Sequence, residues 1–146
     1  MPDSKYDSLK LENQICFPLY AASKELIKQY KPFLDEIDLT YTQYIAMMIL
    51  WEKKVLTVKE MGVYLYLDSG TLTPLLKKLE AKGLVTRTRS TRDERNLEVA
   101  ITEKGELLKE KAVTVPERMA RCSQLSPEEA MTLYHILYKM LGKREA

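Results

Sequence analysis

Apolar residues recur with helical spacing along the first part of the chain. Intervals of three and four residues place them on one face of an α-helix. The members of this face are Leu11, Ile15, Leu19, Ala22, Leu26, Tyr30 and Phe33. Pro18 lies inside the pattern and predicts a kink beside Cys16, because proline removes a backbone donor and crowds the preceding turn. Pro32 marks the place where this helix ends or bends again.

Three more helices are predicted over residues 41–51, 58–66 and 69–82. Each follows a residue whose side chain can accept a hydrogen bond from the first helical turn. These capping residues are Thr40, Thr57 and Asp68 with its neighbour Ser69. The helix predicted over residues 69–82 has an inward apolar stripe. The stripe consists of Leu72, Leu75, Leu76 and Leu79. Gly83 fits the position just past its end.

The spacing changes to that of β-strands after Gly83. Residues 84–89 and 97–102 are rich in β-branched side chains, and the second run alternates between apolar and polar positions. Residues 90–96, which lie between them, include no apolar side chain. We therefore predict a β-hairpin with a long charged tip.

Two further helices are predicted after the hairpin. Thr102 caps the first of them, and Pro116 interrupts or kinks it. Ser126 and Pro127 open the last helix, because serine is favoured at the N-cap and proline at the first helical position. The predicted fold class is mainly α with a small β-hairpin wing.

These elements predict one domain of 146 residues in three parts. A winged helix-turn-helix region covers about residues 40–102. Terminal helices over about residues 8–35 and 103–143 carry apolar faces that need a partner. We therefore expect the terminal helices to pack against a partner.

The net charge of +2 hides an uneven distribution. The segment from Lys77 to Arg95 has seven basic and three acidic residues, which gives +4 there and −2 for the rest of the chain. The basic residues are Lys77, Lys78, Lys82, Arg87, Arg89, Arg92 and Arg95. A patch of this kind releases counterions from a nucleic-acid duplex when it binds. A solvated charged face is the alternative interpretation.

Several function classes are excluded. The longest apolar run, 44–51, is far short of the roughly 20 residues of a membrane helix, and the polar N-terminus is no secretory signal. Cys16, Cys122 and His135 cannot build a plausible zinc site. Since no glycine-rich phosphate loop is present either, we expect neither metal nor cofactor. A cytoplasmic protein with reduced thiols is the expectation, with no membrane partner.

The exposed face of the helix over 69–82 has the chemistry of a DNA-reading surface. Small hydroxyls and lysines near a helix N-terminus reach base edges and phosphates without blocking approach to the major groove. The candidate contacts on this helix are Ser69, Gly70, Thr71, Thr73, Pro74, Lys77 and Lys78. Arg87 adds positive charge on the following strand. At the hairpin tip, Arg92 and Arg95 can enter a minor groove, where Asp93 can orient one of them.

These residues carry a family resemblance. The run over residues 67–80, followed by residues 93–96, resembles the MarR family of winged-helix repressors. The run over residues 11–17, together with Tyr20, Tyr30 and Tyr41, is similar to the organic-hydroperoxide sensors of the OhrR branch. The resemblance extends over nearly the whole chain.

The resemblance implies a homodimer on a pseudo-palindromic double-stranded DNA operator. The first, fifth and sixth helices would form the dimer core, and two recognition helices would enter major grooves about 34–36 Å apart. The peroxide-reactive cysteine of the family matches Cys16. Tyr30 and Tyr41 match tyrosines that reach it from the partner subunit, and Tyr20 matches a further site tyrosine. Arg95 matches the minor-groove arginine, which the acid matching Asp93 holds.

The chemistry of such a sensor begins with a cysteine thiolate, which attacks the peroxide O–O bond and becomes a sulfenic acid. Some members of the branch then use a low-molecular-weight thiol, and others a resolving cysteine near the position of Cys122. We favour an intersubunit disulfide between Cys16 and Cys122, with Cys122 as a bystander being the alternative. The family pattern leads us to expect a bulky aliphatic residue at position 18. Pro18 is therefore a departure from that pattern.

Three other functions remain open. A MarR-type repressor switched by a small aromatic ligand would make Cys16 incidental. A thiol peroxidase would use Cys16 and Cys122, but the chain lacks a CxxC motif and a βαβ pattern, so we predict no enzyme. A helical interaction module would not bind duplex DNA at all.

Overall fold

The computed structural model describes residues 4–89 and 97–142. Two short 3₁₀ turns, Asp7–Leu9 and Leu11–Asn13, come first. The helices are α1 (Cys16–Asp35), α2 (Tyr41–Lys53), α3 (Val58–Leu65), α4 (Ser69–Ala81), α5 (Glu103–Ala112), α6 (Val115–Arg121) and α7 (Pro127–Met140). The strands are β1 (Val55–Thr57), β2 (Val85–Arg89) and β3 (Leu97–Ile101). This confirms the predicted class, mainly α with a small wing.

The sheet is antiparallel, and β3 lies in the middle, between β1 and β2. Val99 of β3 is opposite Leu56 of β1 on one side and Arg87 of β2 on the other. The pairing of β2 with β3 confirms the predicted hairpin. The predicted contacts at its tip, Arg92 and Arg95 with Asp93, lie outside the described residues.

Local capping explains where most helices begin. Thr40 and Gln43 form a complete capping box at the start of α2, and Ser126 and Glu129 form another at the start of α7. The Asp68 carboxylate accepts a hydrogen bond of 2.7 Å from the Thr71 backbone N–H at the start of α4. Each cap satisfies backbone donors that have no acceptor within the helix.

Helix α1 differs from the sequence prediction. It begins at Cys16 rather than near Leu11, and Pro18 is its third residue. The first backbone N–H groups of a helix have no helical acceptor. Pro18 therefore removes no helical hydrogen bond, and the predicted kink is wrong. Beyond Pro32, the helix continues only to Asp35.

The helix predicted after Thr102 is divided in two. Thr102 caps α5 by accepting a hydrogen bond of 3.0 Å from the Gly105 backbone N–H. Helix α5 ends at Ala112, and α6 begins at Val115 with Pro116 in its first turn. Proline is tolerated there, because its missing N–H would have no helical partner.

The core of the described chain lies under the helix-turn-helix and the sheet. The apolar stripe of α4 is buried as predicted. The fully buried side chains are Leu34, Met47, Leu50, Met61, Leu72, Leu76, Leu79, Val85, Val99 and Val115. Trp51 donates from Nε1 to the Gly105 carbonyl at 2.8 Å. A Cβ at Gly105 would lie 2.4 Å from the Leu84 carbonyl oxygen, so this approach of α5 requires glycine.

The chain divides into two compact units, Met1–Val115 and Pro116–Ala146. The first contains α1 to α5 and the sheet, and the second contains α7. None of the described helices combines the length and the apolar character that are needed to cross a bilayer.

Candidate redox site and nucleic-acid interface

Cys16 is an exposed free thiol at the first residue of α1. The preceding residue, Ile15, supplies no side-chain hydrogen bond to the first turn. As the first residue of α1, Cys16 lies at the positive end of the α1 helix dipole. The thiol is open to solvent, so organic peroxides can reach it.

Three tyrosines form a cluster where α1 contacts α2. Tyr30 of α1 lies with its ring centroid 5.0 Å from that of Tyr41 and 5.9 Å from that of Tyr44. The rings of Tyr41 and Tyr44 are 6.4 Å apart. All three pairs are tilted, as aromatic pairs at these distances prefer. We call these three residues the tyrosine cluster.

Burial sets the acidity of the tyrosine cluster. It raises the pKa of Tyr30 and of Tyr41 above the ordinary value, and for Tyr30 the neighbouring Tyr41 adds to the effect. The pKa of Tyr44 rises to about 12, first through burial and then through Tyr30 and Tyr41. The hydroxyls therefore stay protonated at neutral pH. They are hydrogen-bond donors rather than bases.

Cys16 and the tyrosine cluster lie far apart within one chain. Tyr30 follows Cys16 by 14 residues on the same helix, which corresponds to a rise of about 21 Å. Tyr20 is one turn from Cys16 and mostly exposed, and the Lys24 ammonium lies 5.1 Å from its ring centroid. Of the predicted redox tyrosines, the structure thus places Tyr20 near Cys16 and the other two at a distance.

Helix α1 has an exposed apolar surface. Only one of its 20 residues, Leu34, is buried. The exposed apolar side chains on α1 and at its start are Ile15, Phe17, Leu19, Tyr20, Leu26 and Ile27. Exposed apolar side chains grouped on one helix are typical of interaction surfaces.

Cys122 lies in the second unit and is also an exposed free thiol. It directly follows α6, and its backbone N–H donates to the Met119 carbonyl at 3.1 Å. Helix α7 of the same unit has no buried residue among its 14. Its exposed apolar side chains include Met131, Leu133, Tyr134, Ile136 and Met140.

The predicted reading face of α4 is open to solvent. The leucines of α4 form the buried stripe, and the candidate DNA contacts lie on the rest of the helix surface. Six of these seven are exposed, namely Ser69, Gly70, Thr71, Pro74, Lys77 and Lys78, and Thr73 is half-buried. Backbone can approach a duplex closely at Gly70, where no side chain intervenes.

Two of the basic residues counted in the sequence have partners inside the protein. The Arg87 guanidinium lies 3.1 Å from the Glu80 carboxylate and is only 18% exposed. Lys82 donates to Gln43 and to the Asp38 carbonyl. The basic surface on α4 and β2 therefore consists of Lys77, Lys78 and Arg89 rather than of all five described basic residues. For Arg87, a direct DNA contact stays a prediction.

An open groove of about 590 Å³ lies beside the reading face. Its lining is mainly apolar, with Lys59 and Ser69 as the polar exceptions. The lining residues are Val58, Lys59, Gly62, Val63, Leu67, Ser69 and Leu97. No group of three potential metal-ligating side chains is found within residues 4–89 and 97–142.

Comparison with known proteins agrees with this architecture. A family described as "Transcriptional regulator SarA/Rot" matches residues 28–112. The "Organic hydroperoxide resistance transcriptional regulator" of Bacillus subtilis (strain 168) is 54% identical over 139 residues, which cover 95% of each chain. The chain belongs to the SarA/Rot family of MarR-like winged-helix transcriptional regulators. It is a transcriptional regulator of the OhrR type.

Solved structures of another regulator resemble this OhrR-type protein. The structure described as reduced AbfR bound to DNA is 32% identical, with a TM-score of 0.78 and coverage of 95% of this chain and 97% of that one. Disulfide-formed AbfR is 31% identical, with a TM-score of 0.66 and coverage of 94% and 96%. AbfR comes from Staphylococcus epidermidis. These homologues and this fold are those of transcriptional regulators.

Sequence reasoning missed three residues around this OhrR-type site. Tyr44 was counted only as part of the apolar run 44–51, although it completes the tyrosine cluster. Gln43 was not among the predicted site residues. Glu80 was counted as a charge, without its partner Arg87. The spacing of Tyr41 and Tyr44, three residues apart on one helix face, is the signal that could have revealed the cluster.

Proposed function

We propose that this OhrR-type regulator is a repressor that senses organic hydroperoxides through Cys16 and then releases its operator. The observation that carries the proposal is the separation along α1. A thiol lies at one end of the helix, and phenol donors lie about 21 Å away at the other. A second copy with α1 antiparallel to the first would bring each Cys16 next to the partner's tyrosine cluster.

Dimer formation is supported by the exposed apolar faces of α1 and α7. Burying apolar surface contributes about 25 cal/mol per Å², and these faces have no cover within their own units. The homodimer, with its terminal helices as the dimerisation region, is part of the proposal. Each completed site then contains Cys16 from one subunit, and Tyr30 and Tyr41 from the other.

The proposed chemistry has two steps. The Cys16 thiolate attacks one oxygen of the hydroperoxide, the O–O bond breaks, and an alcohol leaves after the other oxygen takes up a proton. Protonated tyrosines stabilise this step because they donate to the sulfur and to the leaving oxygen. The Cys122 thiol of the second subunit then attacks the sulfenic sulfur and displaces water, which gives an intersubunit disulfide.

DNA binding is proposed for the exposed face of α4 together with the wing. Lys77 and Lys78 would contact phosphates, and the small residues from Ser69 to Thr73 would allow the helix to approach base edges. Arg95, held by Asp93, would enter the minor groove. A disulfide across the dimer would change the spacing of the two reading helices, and that spacing must match the helical repeat of the duplex.

A duplex-shift assay tests the proposal. A duplex selected by the reduced protein from a randomised pool is bound by reduced protein, released after one equivalent of cumene hydroperoxide per Cys16, and bound again after dithiothreitol. The Cys16→Ser protein should bind the same duplex and ignore the peroxide. If its release matched that of the wild type, the sensing role of Cys16 would be refuted.

The second step has its own test. On a non-reducing gel, peroxide-treated wild-type protein should run as a covalent dimer, and Cys122→Ser should run as a monomer. If the wild type also runs as a monomer while losing DNA, Cys122 is not the resolving thiol and a low-molecular-weight thiol takes its place. Each Cys16 should consume one equivalent of hydroperoxide. Multiple turnovers in the presence of a thiol reductant would instead indicate a peroxidase.

The groove beside α4 favours a second candidate function, a response to a small aromatic ligand. Its apolar lining suits a ring, and Lys59 suits a carboxylate. On this alternative, benzoate-type ligands release the duplex from Cys16→Ser as well as from the wild type. Substituting Val63 by Phe, which narrows the groove, then weakens the response to the ligand and leaves the response to peroxide intact.

A further inference from the structure

Gln43 is the one buried polar side chain in the part of the chain that the structure describes, with 4% exposure. Its Oε1 accepts a hydrogen bond of 3.1 Å from the Thr40 backbone N–H. The same oxygen accepts a second bond, also of 3.1 Å, from the Lys82 ammonium. A buried carbonyl with two donors fixes the position of both.

Lys82 connects the reading helix to the segment that carries the tyrosines. It is the C-cap residue of α4. Its ammonium donates to Gln43 and to the Asp38 carbonyl, and it lies 3.6 Å from the Asp38 carboxylate. All three acceptors belong to residues 38–43, the turn between α1 and α2 and the first turn of α2. An ammonium with three donors can satisfy all of them.

The same short segment carries part of the tyrosine cluster. Tyr41 is the first residue of α2, between Thr40 and Gln43, and Tyr44 follows directly. The turn before it contains Asp38 with φ of 53°, a conformation that non-glycine residues seldom adopt. Tyr41 is therefore part of the same short backbone segment as the groups that hold Lys82.

The end of α4 is also fixed on its other side. Lys104 donates to the Lys82 carbonyl at 2.7 Å, and Thr102 donates from its hydroxyl to the Gly83 carbonyl at 2.6 Å. These two contacts hold the backbone after α4 to the start of α5. The Lys82 side chain is thus a polar contact that connects this helix end with the tyrosine segment.

We propose that Gln43 and Lys82 are positioning residues that couple the tyrosine cluster to the reading helix α4. The inference rests on the proposed function. In the reduced dimer the cluster is held by the partner's Cys16, and the contact of Lys82 with Gln43 and Asp38 fixes the end of α4. When Cys16 is oxidised, Tyr41 is released, and the shift reaches α4 through this contact.

The experiment compares DNA affinity in two redox states. The dissociation constant of the full-length dimer is measured by fluorescence anisotropy at one salt concentration, before and after stoichiometric cumene hydroperoxide. The probe is a duplex selected by the reduced wild type from a randomised pool. For Lys82→Met and Gln43→Leu, we expect the ratio of oxidised to reduced dissociation constants to fall about threefold to tenfold below that of the wild type.

Two variants serve as controls. Lys78→Met removes a charge from the exposed face of the same helix, so it should weaken binding in both states and leave the ratio unchanged. Gln43→Glu retains an oxygen that accepts from the Thr40 N–H and from the Lys82 ammonium. It should therefore keep the wild-type ratio of dissociation constants. This control separates the loss of the hydrogen bonds from a change in packing. If Gln43→Leu does not fold, the ratio measured for Lys82→Met decides whether the contact couples the two regions.

The outcomes are distinct. If the wild type does not respond to peroxide, the proposed function fails. If the wild type responds, and Lys82→Met responds with the same ratio, the proposed function stands and the coupling role is refuted. A reduced ratio in Lys78→Met of the same size would also refute it, because any lost charge on α4 would then suffice.

Discussion

The helix-turn-helix and the outer helices differ in how far one chain completes their packing. Seven of the 13 residues of α2 and four of the 13 of α4 are buried. By contrast, α1 buries one residue of 20, and α7 buries none of 14. The reading surface therefore has its support within a single chain, whereas the redox site proposed above would need a second copy. On the proposed function, this difference links chemistry at the dimer interface to the spacing of the DNA-binding helices.

The largest effect is expected from the buried stripe of α4. Leu76→Ala should lower the free energy of unfolding by about 3 kcal/mol, through lost apolar burial and the cavity that is left. Val63→Ala, at a side chain that is 69% exposed, should change it by less than about 0.5 kcal/mol. Urea unfolding followed by circular dichroism measures both. If both variants lost the same free energy of unfolding, the packing of α4 in the single-chain core would not be what stabilises the fold.

The second prediction concerns the exposed face of α1. Leu26→Glu should raise the dissociation constant of the dimer at least tenfold, because a carboxylate would be desolvated at the interface. The fold of each subunit should persist, since Leu26 is 49% exposed in one chain. Sedimentation at several concentrations gives the constant. Val63→Glu, on α3, is the matched control and should leave it unchanged. A similar weakening in both variants would place the interface elsewhere.

The tyrosine cluster gives a third prediction. Tyr44→Leu removes the buried ring against which Tyr30 and Tyr41 pack, and should slow Cys16 oxidation by cumene hydroperoxide about tenfold through misplaced donors. Tyr44→Phe keeps the ring and should retain most of the rate. Stopped-flow loss of free thiol, in a Cys122→Ser background, measures both. If Phe were as slow as Leu, the Tyr44 hydroxyl itself would be required.

The smallest effect concerns the ion pair that supports the wing. Hydrogen bonds from Arg87 hold the pKa of Glu80 below its ordinary value. A carboxyl whose pKa is lower in the folded chain stabilises the fold above its unfolded pKa of about 4.3, and this contribution is lost as the pH falls through the folded value. Glu80→Gln should therefore lower the Tm at pH 7, by an amount that shrinks below pH 4.

An exposed carboxyl on another helix supplies the control for this pair. Glu110→Gln on α5 removes a carboxylate of the same charge away from Arg87, and its Tm change between pH 7 and pH 3 is the reference. If Glu80→Gln and Glu110→Gln behave alike between pH 7 and pH 3, the Arg87 pair does not stabilise the wing.

Local signals predicted most of the fold. The caps at Thr40, Thr57, Asp68 and Ser126 act over three residues, so the sequence alone reveals them. The three-residue strand β1 was missed, because it is too short to show alternation and depends on pairing with β3, more than 40 residues later. The kink predicted at Pro18 was wrong for a related reason. Whether a proline disrupts a helix depends on where the helix begins, and the spacing of apolar residues did not fix the start of α1.

The site was less predictable than the fold. Tyr20, Tyr30 and Tyr41 could be named from a family resemblance, which does not say which groups meet within one chain. The contact between Gln43 and Lys82 joins residues 39 positions apart, and no periodicity encodes it. Tyr44 was hidden in a run of apolar residues whose helical pattern indicated only burial.

The central claim is that Cys16 of one subunit reacts beside the tyrosines of the other, and mixed dimers test it most directly. Chains with Cys16→Ser are mixed with chains with Tyr41→Phe and allowed to exchange subunits. Each mixed dimer then has one complete site, Cys16 from the second chain beside Tyr41 from the first. We predict that about half of the remaining Cys16 is oxidised by cumene hydroperoxide at the wild-type rate, as followed by mass spectrometry. If all of it reacts at the slow rate of the Tyr41→Phe homodimer, the site lies within one chain and the claim is wrong.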